Sequence, residues 1–567
     1  MRKVRSLSEL AGLRETIVKQ NSQFKKTAVV CGGPGCYALG SEGVKHTFER
    51  ELGKRGLNDK IRLIFSGCHG FCEQGPLVVI RPRDILYCKV KKGDVASIVS
   101  ETLIKDRIMD SLLYKDPITG KKITYEKDIP FYKAQKRILL EQNELIDPTV
   151  IEDYIANGGY STLCKVLTEM RPEEVIGEIK RSGLRGRGGA GFPTGMKWES
   201  CRQAKGNVKY VVCNCDEGDP GAFMDRSLLE GNPHLVLESM LIGSFAIGAH
   251  EGFIYVRHEY PRAWKNAEIA VRQARRLGLM GENILGSGFS FDIQIARGGG
   301  AFVCGESTAL MASLEGRTGE PRDKRHLHTI ESGLWGRPTL LNNVETWANV
   351  PTIINKGAPW FSKIGTAKSK GTKIFSLVGK VKNTGLIEVP MGISLREIIY
   401  DVGGGPPNGK DFKAVQTGGP SGGCIPKELL DLPVDFDELT KVGSMMGSGG
   451  MIVMDESTCM VDVARYFLKF LMEESCGKCL PCREGLKRMH EIITDIVEGK
   501  ADEESLKLLR ELAEVVKDAS LCGLGRTAPN PVLSTLKYFP GEYRAHVEEK
   551  RCPAGVCTAL VSCLADP

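Results

Sequence analysis

The sequence predicts a multidomain α/β protein that ends in a helical bundle, on three observations. At 567 residues the chain is longer than one hydrophobic core supports. Short β-branched runs alternate with helical periodicity, the mark of a mostly parallel sheet. The 19 cysteines fall into spaced groups instead of being scattered. The opening residues MRKVRSLSELAGLRE read as an amphipathic basic helix without the apolar run of a signal peptide. No stretch approaches the roughly 18 apolar residues that span a bilayer. This implies a cytoplasmic, thiol-reducing setting, where metal ligation explains many cysteines better than disulfides do. The net charge of +7 arises from 77 basic and 70 acidic residues interspersed along the chain, a solvated surface and not a nucleic-acid-binding tail.

Residues 1–105 read as an N-terminal helix and a small α/β unit. Its strand signals are KKTAVVC, KIRLIFS, PLVVIRP and DILYCKV, with a helix at SEGVKHTFERELGKRGL. Residues 106–150, charged and Pro-punctuated, read as a linker or docking arm. A larger α/β domain is expected over 151–365, with strands KYVVCNCDEG, EGFIYVRHEY and FDIQIARG and helices such as PRAWKNAEIAVRQARRLGL. Residues 366–453 suggest a small α+β insert with two hairpin-like strands and one helix. Three helical segments predict a bundle over 454–545, and 546–567 form a tail.

The cysteine spacings carry the chemistry. Cys31–x4–Cys36 and Cys68–x3–Cys72 each follow a strand signal, so four thiolates can converge at one end of a small sheet. Such a set suits a 2Fe–2S cluster or zinc, and the x4 and x3 loops favour the cluster. These two loops resemble those of thioredoxin-like 2Fe–2S ferredoxins. Cys476–x2–Cys479–x2–Cys482 can cap three corners of one cube, with Cys522 as the remote fourth ligand, a strong 4Fe–4S signal. His546, Cys552 and Cys557, joined by Cys459, make a looser set, equally readable as structural zinc ligands or as ordinary thiols. Most of the other eight cysteines sit in apolar, strand-like contexts and read as small core residues.

The 66 glycines cluster in GLRGRGGAGFPTG, ARGGGAF, VGGGPPNGK, TGGPSGG and GSMMGSGG, which suits loops where backbone approaches a ligand. Gly186-x-Gly188-x-x-Gly191 matches the dinucleotide fingerprint literally. It follows a helical segment, however, where the fingerprint requires a strand. With Arg187 and Lys197 it still reads as an anion cradle. In order along the chain, GRGGAGFPTGMKW, NCDEGDPGAFMDR, FVCGESTALMASLEG and LNNVETWANV resemble the NADH- and FMN-binding subunit of respiratory complex I and its relatives in soluble hydrogenases and formate dehydrogenases. The resemblance runs from roughly residue 150 to 550. The fused N-terminal cysteine unit points to the soluble hydrogenase-type branch, whose members often work in electron-bifurcating complexes.

That resemblance implies four folds in series: a thioredoxin-like 2Fe–2S ferredoxin domain, a Rossmann-like FMN- and NAD(P)-binding α/β domain, a small ubiquitin-like (SLBB-type) α+β domain and a helical 4Fe–4S bundle. It implies an FMN site built from Gly186, Arg187, Gly188, Lys197, Asn214, Asp216, Glu217, Gly305, Glu306, Asn342, Asn343 and Thr346. Phe192 and Phe223 would sandwich the nicotinamide nucleotide, and Asp219, Ser307 and Lys324 would line its pocket. Relatives with a C-terminal extension bind zinc through residues matching Cys459, His546, Cys552 and Cys557. This chain departs at Ser307, where the family often has a second Glu, and at Lys324-Arg325-His326, where a Lys-Pro-Pro run is common. Fewer negative and more basic charges suit a 2′-phosphate, so NAD(H) and NADP(H) both stay open.

The implied activity is an NAD(P)H:acceptor oxidoreductase subunit that passes single electrons from FMN to the iron–sulfur clusters, with no side chain acting as a catalytic acid or base. Expected partners are iron–sulfur subunits of hydrogenase or formate dehydrogenase type, a second small 2Fe–2S subunit, or ferredoxin, with no nucleic acid and no membrane span. The alternatives are an electron conduit without nucleotide turnover and, from another class, a zinc-ribbon nucleic-acid binder. The interspersed charges argue against the latter.

Overall fold

The four N-terminal strand signals form one sheet. A computed structural model describes residues 3–117, 119–323 and 328–561 and orders β1 (Lys26–Cys31), β2 (Ile61–Ser66), β3 (Val78–Arg81) and β4 (Ile85–Tyr87) as β2-β1-β3-β4. β1 and β2 run parallel across the Ser41–Lys54 helix, and β3 and β4 add an antiparallel hairpin. The run Ala28-Val29-Val30 is continuous because both faces are covered. Ala28 and Val30 pack with Phe48 and Leu52, whereas Val29 packs with Phe71 and Phe131.

Residues 106–150 are a packed strap with little regular structure. They hold a two-residue-per-strand hairpin, β5 (Tyr114–Lys115) and β6 (Lys122–Ile123), and short helices Pro130–Lys133 and Leu140–Asn143. Ile129, Phe131, Leu139 and Leu140 are fully buried, and the Phe131 ring stacks on Phe71 at 4.2 Å. The absence of periodicity in this stretch reflects burial without regular structure. Its anchor is the buried Glu388, whose Oε2 accepts the N–H groups of Ile138, Leu139 and Leu140 at 2.9–3.0 Å while Oε1 accepts the Thr372 hydroxyl at 2.6 Å.

The larger α/β unit contains a four-stranded parallel sheet of order β10-β7-β8-β9, built from β7 (Tyr210–Cys215), β8 (Glu251–Arg257), β9 (Asp292–Gly298) and β10 (Thr339–Asn343). β10 is the strand that the sequence pattern hid, because its apolar run is two leucines before Asn342-Asn343. Val211 and Cys213 face one core and Val212 another, so this sheet too is covered on both sides. The next unit holds five strands where two were expected. Its order is β12-β11-β15-β13-β14, from β11 (Thr372–Gly379), β12 (Gly385–Pro390), β13 (Phe412–Thr417), β14 (Gly423–Pro426) and β15 (Gly450–Asp455). The last three are short and flanked by glycine clusters, which cut the alternation that marks a strand. The helices Met460–Glu473, Leu480–Val497 and Glu503–Ala519 follow as expected, with Asn530–Tyr538 and Pro540–Val547 completing the bundle. Among the described residues no helix is long and apolar enough to cross a membrane.

Glu388→Ala leaves two buried N–H groups and one half-buried one without an acceptor, a loss on the order of 3 kcal/mol. The variant should show a lower thermal midpoint and faster tryptic cleavage at Lys133, Lys136 and Arg137, with Glu388→Gln intermediate. Unchanged cleavage would mean the strap is held by its apolar contacts alone.

Candidate functional site

The glycine loop lies between the Pro172–Ser182 helix, which ends at Gly183 in the left-handed region, and the Thr194–Gln203 helix. It follows a helix, as its sequence context indicates. Gly188 and Gly189 form part of the wall of a cavity of about 320 Å³, within the range of small-molecule sites. Gly189 has φ +126° and pairs with Gly447, while a methyl on Gly188 would lie 3.2 Å from Asn343 Cβ. The expected basic cradle is built differently. The Arg187 guanidinium is fully buried and donates to the carbonyls of Thr372, Arg185 and Lys370 at 3.1, 2.9 and 2.6 Å. Lys197 donates to the carbonyl of Leu341 at 2.9 Å.

The opposite wall is acidic and stands at the carboxyl end of β7, where ligands bind in parallel α/β sheets. Asn214 at the end of β7 and Asp216, Glu217 and Asp219 in the loop after it reach the cavity, joined by Gly305, Glu306 and Asn343. Glu217 caps the Met224–Gly231 helix by accepting the N–H groups of Met224, Asp225 and Arg226 at 2.9–3.1 Å. Glu306 caps the Ser307–Leu314 helix through Thr308 and Ala309. Asp219 accepts the Ser448 hydroxyl at 2.7 Å. Burial pushes Asp216 and Glu217 up to about 7 and Asp219 up to about 6. Among the described residues both Asp216 oxygens lack a hydrogen-bond partner, and Arg257 Nη1 stands 3.5 Å away. Such a carboxyl needs donors, and the hydroxyls of a polyol chain supply them, so the residues present fit FMN.

Eight of the sequence-derived residues therefore meet on one cavity: Gly188, Asn214, Asp216, Glu217, Asp219, Gly305, Glu306 and Asn343. Gly186, Arg187, Phe192, Lys197, Phe223, Ser307, Asn342 and Thr346 lie outside its wall, and Lys324 lies outside the described residues. The sequence reading missed the roof, made by Gly418, Ser421, Met445, Gly447 and Ser448 from the loops between β13 and β15, and the floor of Phe302, Val303, Leu524 and Thr527. The signals were there in TGGPSGG, GSMMGSGG and the residues after Cys522.

Cys476, Cys479, Cys482 and Cys522 line a second, smaller cavity with Ser475, Pro321, Leu521 and Lys478. Cys479 precedes the Leu480–Val497 helix and Cys482 sits in its first turn. Val303 and Leu524 belong to the walls of both cavities. At the other end of the chain Cys31, Cys36, Cys68 and Cys72 converge, with Gly33, Gly35 and Gly75 admitting the sulfurs. A methyl at Gly33 or Gly75 would lie 2.8 Å from Cys68 or Cys36 Sγ. A third set is more compact: the ligand atoms of Cys459, His546, Cys552 and Cys557 all lie within 4.8 Å of one another. Cys459 Sγ to His546 Nε2 is 3.5 Å, His546 Nε2 to Cys557 Sγ 3.4 Å and Cys557 Sγ to Cys459 Sγ 3.7 Å. Zinc–sulfur and zinc–nitrogen bonds of about 2.3 and 2.1 Å give tetrahedral edges of about 3.8 and 3.6 Å, so this set fits zinc. His546 Nδ1 meets the Glu542 carbonyl at 2.7 Å, the outer contact that frees Nε2 to ligate.

Three family descriptions match the chain: the Nuo51 FMN-binding domain over residues 179–352, the SLBB domain over 374–425 and the NADH-ubiquinone oxidoreductase-F iron-sulfur binding region over 462–546. The NADP-reducing hydrogenase subunit HndC of Solidesulfovibrio fructosivorans is 58% identical over 435 residues, 77% of this chain and 88% of that one. An NADH-quinone oxidoreductase subunit of Rhizobium meliloti is 45% identical over 416 residues, 73% of this chain and 99% of its own. A chain of an NAD+-reducing NiFe hydrogenase in the H2-reduced state superposes with a TM-score of 0.65 at 27% identity, across 96% of this chain and 90% of that one. The chain therefore belongs to the family of FMN- and iron–sulfur-binding subunits found in the NADH-quinone oxidoreductases and in the nucleotide-reducing hydrogenases.

Proposed function

We propose that the chain is the NAD(P)(H)-reacting flavoprotein subunit of a multisubunit redox complex of hydrogenase or complex I type. One observation carries this reading: Val303 and Leu524 bound both the acidic cavity and the cage of Cys476, Cys479, Cys482 and Cys522, so the two sites adjoin and share part of their lining. FMN, when bound, supplies the interconversion of electron pairs and single electrons that side chains do not offer. The protein's part is to bind, orient and enclose. Gly188 and Gly189 would turn main-chain N–H groups to the phosphate, and Asn214, Asp216 and Glu217 would take the hydroxyls of the sugar chain. Gly305, Glu306 and Asn343 would close the far side. Gly186, Arg187, Lys197, Asn342 and Thr346 act one layer back, where Thr346 accepts the Arg187 N–H at 2.8 Å and so holds the glycine loop.

Phe192, 48% exposed, offers a ring face to a nucleotide arriving from solvent, Asp219 lies in the cavity wall, and Phe223 is half-buried at the start of the Met224–Gly231 helix. Ser307 removes a charge that would repel a 2′-phosphate, which agrees with a relative named as NADP-reducing. Lys324, Arg325 and His326, the other half of that expectation, lie outside the described residues. The β2-β1-β3-β4 sheet with its two cysteine loops supports a thioredoxin-like unit holding a 2Fe–2S cluster at Cys31, Cys36, Cys68 and Cys72. The tetrahedral edges at Cys459, His546, Cys552 and Cys557 support structural zinc.

Anaerobic titration with NADH and, separately, NADPH should bleach the flavin and cluster bands, and the nucleotide effective at lower concentration identifies the substrate. No bleaching by either, with FMN and iron bound, would leave an electron conduit. Cys557→Ser should lower the zinc content from about one per chain toward zero while iron is retained; unchanged zinc would remove that assignment. In the flavin-free chain the raised carboxyls give a defined pH dependence. Asp216 folds with a midpoint of about 7 against 3.8 for the free group, so its stabilising contribution is present at acid pH and lost as pH rises through 7. The thermal midpoint should fall between about pH 4 and 7, the window set by the two midpoints, and Asp216→Asn should flatten that fall by on the order of 4 kcal/mol. A profile identical in the variant would mean Asp216 keeps its charge in the fold.

A further inference from the structure

The loop Gly67–Cys72 closes one side of the N-terminal cysteine cage, and it is held by groups from elsewhere in the chain. Arg137, in the strap, donates from Nη2 to the carbonyl of His69 at 3.0 Å. The N–H of the same peptide unit, on Gly70, points at Cys68 Sγ at 3.3 Å. Carbonyl and N–H leave a planar trans peptide in opposite directions. A cation bonded to the oxygen therefore fixes and polarises the donor aimed at the sulfur. The neighbouring peptide is fastened separately: the Gly70 carbonyl accepts the N–H groups of Leu386 and Cys72 at 2.8 and 3.0 Å. Gly70 has φ +90°, and a methyl there would lie 2.4 Å from the Leu386 carbonyl oxygen.

Arg137 is itself tightly held. It ion-pairs with the buried Glu144 and lies over the Tyr132 ring at 5.0 Å from its centroid. Glu144 also faces Arg81 at 3.7 Å, and Glu126 faces His69 Nδ1 at 3.5 Å. Charges buried in this way act on their neighbours with little screening. On the reading that Cys31, Cys36, Cys68 and Cys72 hold a 2Fe–2S cluster, we infer that Arg137 is its positioning residue, aiming the Gly70 N–H at Cys68 and setting, with Glu144, the local charge at the cluster. Hydrogen bonds to ligand sulfur and nearby positive charge both favour the more negative, reduced cluster and raise its potential.

The test is an anaerobic redox titration of the full chain with its cofactors, read by EPR of the reduced 2Fe–2S centre at a temperature where the 4Fe–4S signal has broadened away. The pH is held at 8, above the Glu144 midpoint of about 7. Arg137→Gln should lower the reduced-to-oxidised ratio at fixed potential about tenfold, or 59 mV for one electron. Arg137→Lys, which keeps the charge, should recover part of that shift. Glu144→Gln should move the midpoint upward. Opposite signs for Arg137→Gln and Glu144→Gln are what a merely structural role cannot produce. If Arg137→Gln fails to fold, the Lys and Glu144 variants still decide the sign. Unchanged midpoints with an intact signal, or shifts of one sign in all variants, would overturn the inference. No 2Fe–2S signal in the unsubstituted chain would instead remove the cluster reading, and the inference with it, before any variant is compared.

Discussion

The wall formed by Val303 and Leu524 is the constraint on which the rest of the architecture depends. A flavin site and an iron–sulfur site must stand close enough for electrons to pass, yet each needs its own polar or thiolate lining in a buried setting. Two apolar side chains meet both demands, since they separate the linings without adding groups that would need solvation. Their positions also dictate the assembly. Val303 comes from the segment after β9 and Leu524 from the segment after the Glu503–Ala519 helix, so the parallel-sheet unit and the bundle must pack face to face. The five-stranded unit then closes the cavity from above with the glycine loops around 418–421 and 445–448.

What was legible in the sequence follows from where chemistry fixes residue type. Cysteine groups are set by identity and, apart from the remote Cys522, by local spacing, so which cysteines would come together could be read from motifs. Asn214, Asp216 and Glu217 came from the family resemblance through one short motif, and they sit together because the end of β7 and the loop after it carry all three. Arg187 was not legible as a buried residue. Its partners, the carbonyls of Lys370 and Thr372, lie 183 and 185 residues away, and no local pattern records them. The roof was hidden for a different reason. Glycine loops contribute main chain, and a glycine cluster looks the same whether it lines a ligand site or turns a corner. The strands β13–β15 disappeared into those same clusters.

The residues 106–150 show how packing can exceed what periodicity reveals. A stretch without helical or strand period reads as a linker, yet its apolar residues Ile129, Phe131, Leu139 and Leu140 are buried as deeply as any core residue. Backbone groups in such a segment must still find partners. Glu388 supplies them with one carboxylate, at the cost of burying a charge that four donors then compensate. The strap thereby becomes the element through which the five-stranded unit, the parallel-sheet unit and the N-terminal sheet are fixed to one another.

That fixation settles how the N-terminal cysteine unit relates to the flavin cavity. The Met224–Gly231 helix starts at the cavity, where Asp225 is part of the wall, and ends at Gly231, which touches the cysteine loop at Gly67. A methyl on Gly67 or Gly231 would stand 2.6 or 2.9 Å from the other residue's Cα, so backbone rests on backbone there. Six residues of helix separate Asp225 from Gly231, a rise of about 9 Å. Arg262 adds a bond from the same unit to the Gly32 carbonyl at 2.6 Å, and its guanidinium lies over the Tyr37 ring. A domain on a flexible tether would expose its cysteine loops and rely on collisions. Here Cys31, Cys36 and Cys68 are buried and Cys72 is half-buried, and one short helix links their loops to the cavity. The N-terminal cysteine loops are therefore packed against the same helix that borders the acidic cavity, and a cluster held by them would have its position set by that contact.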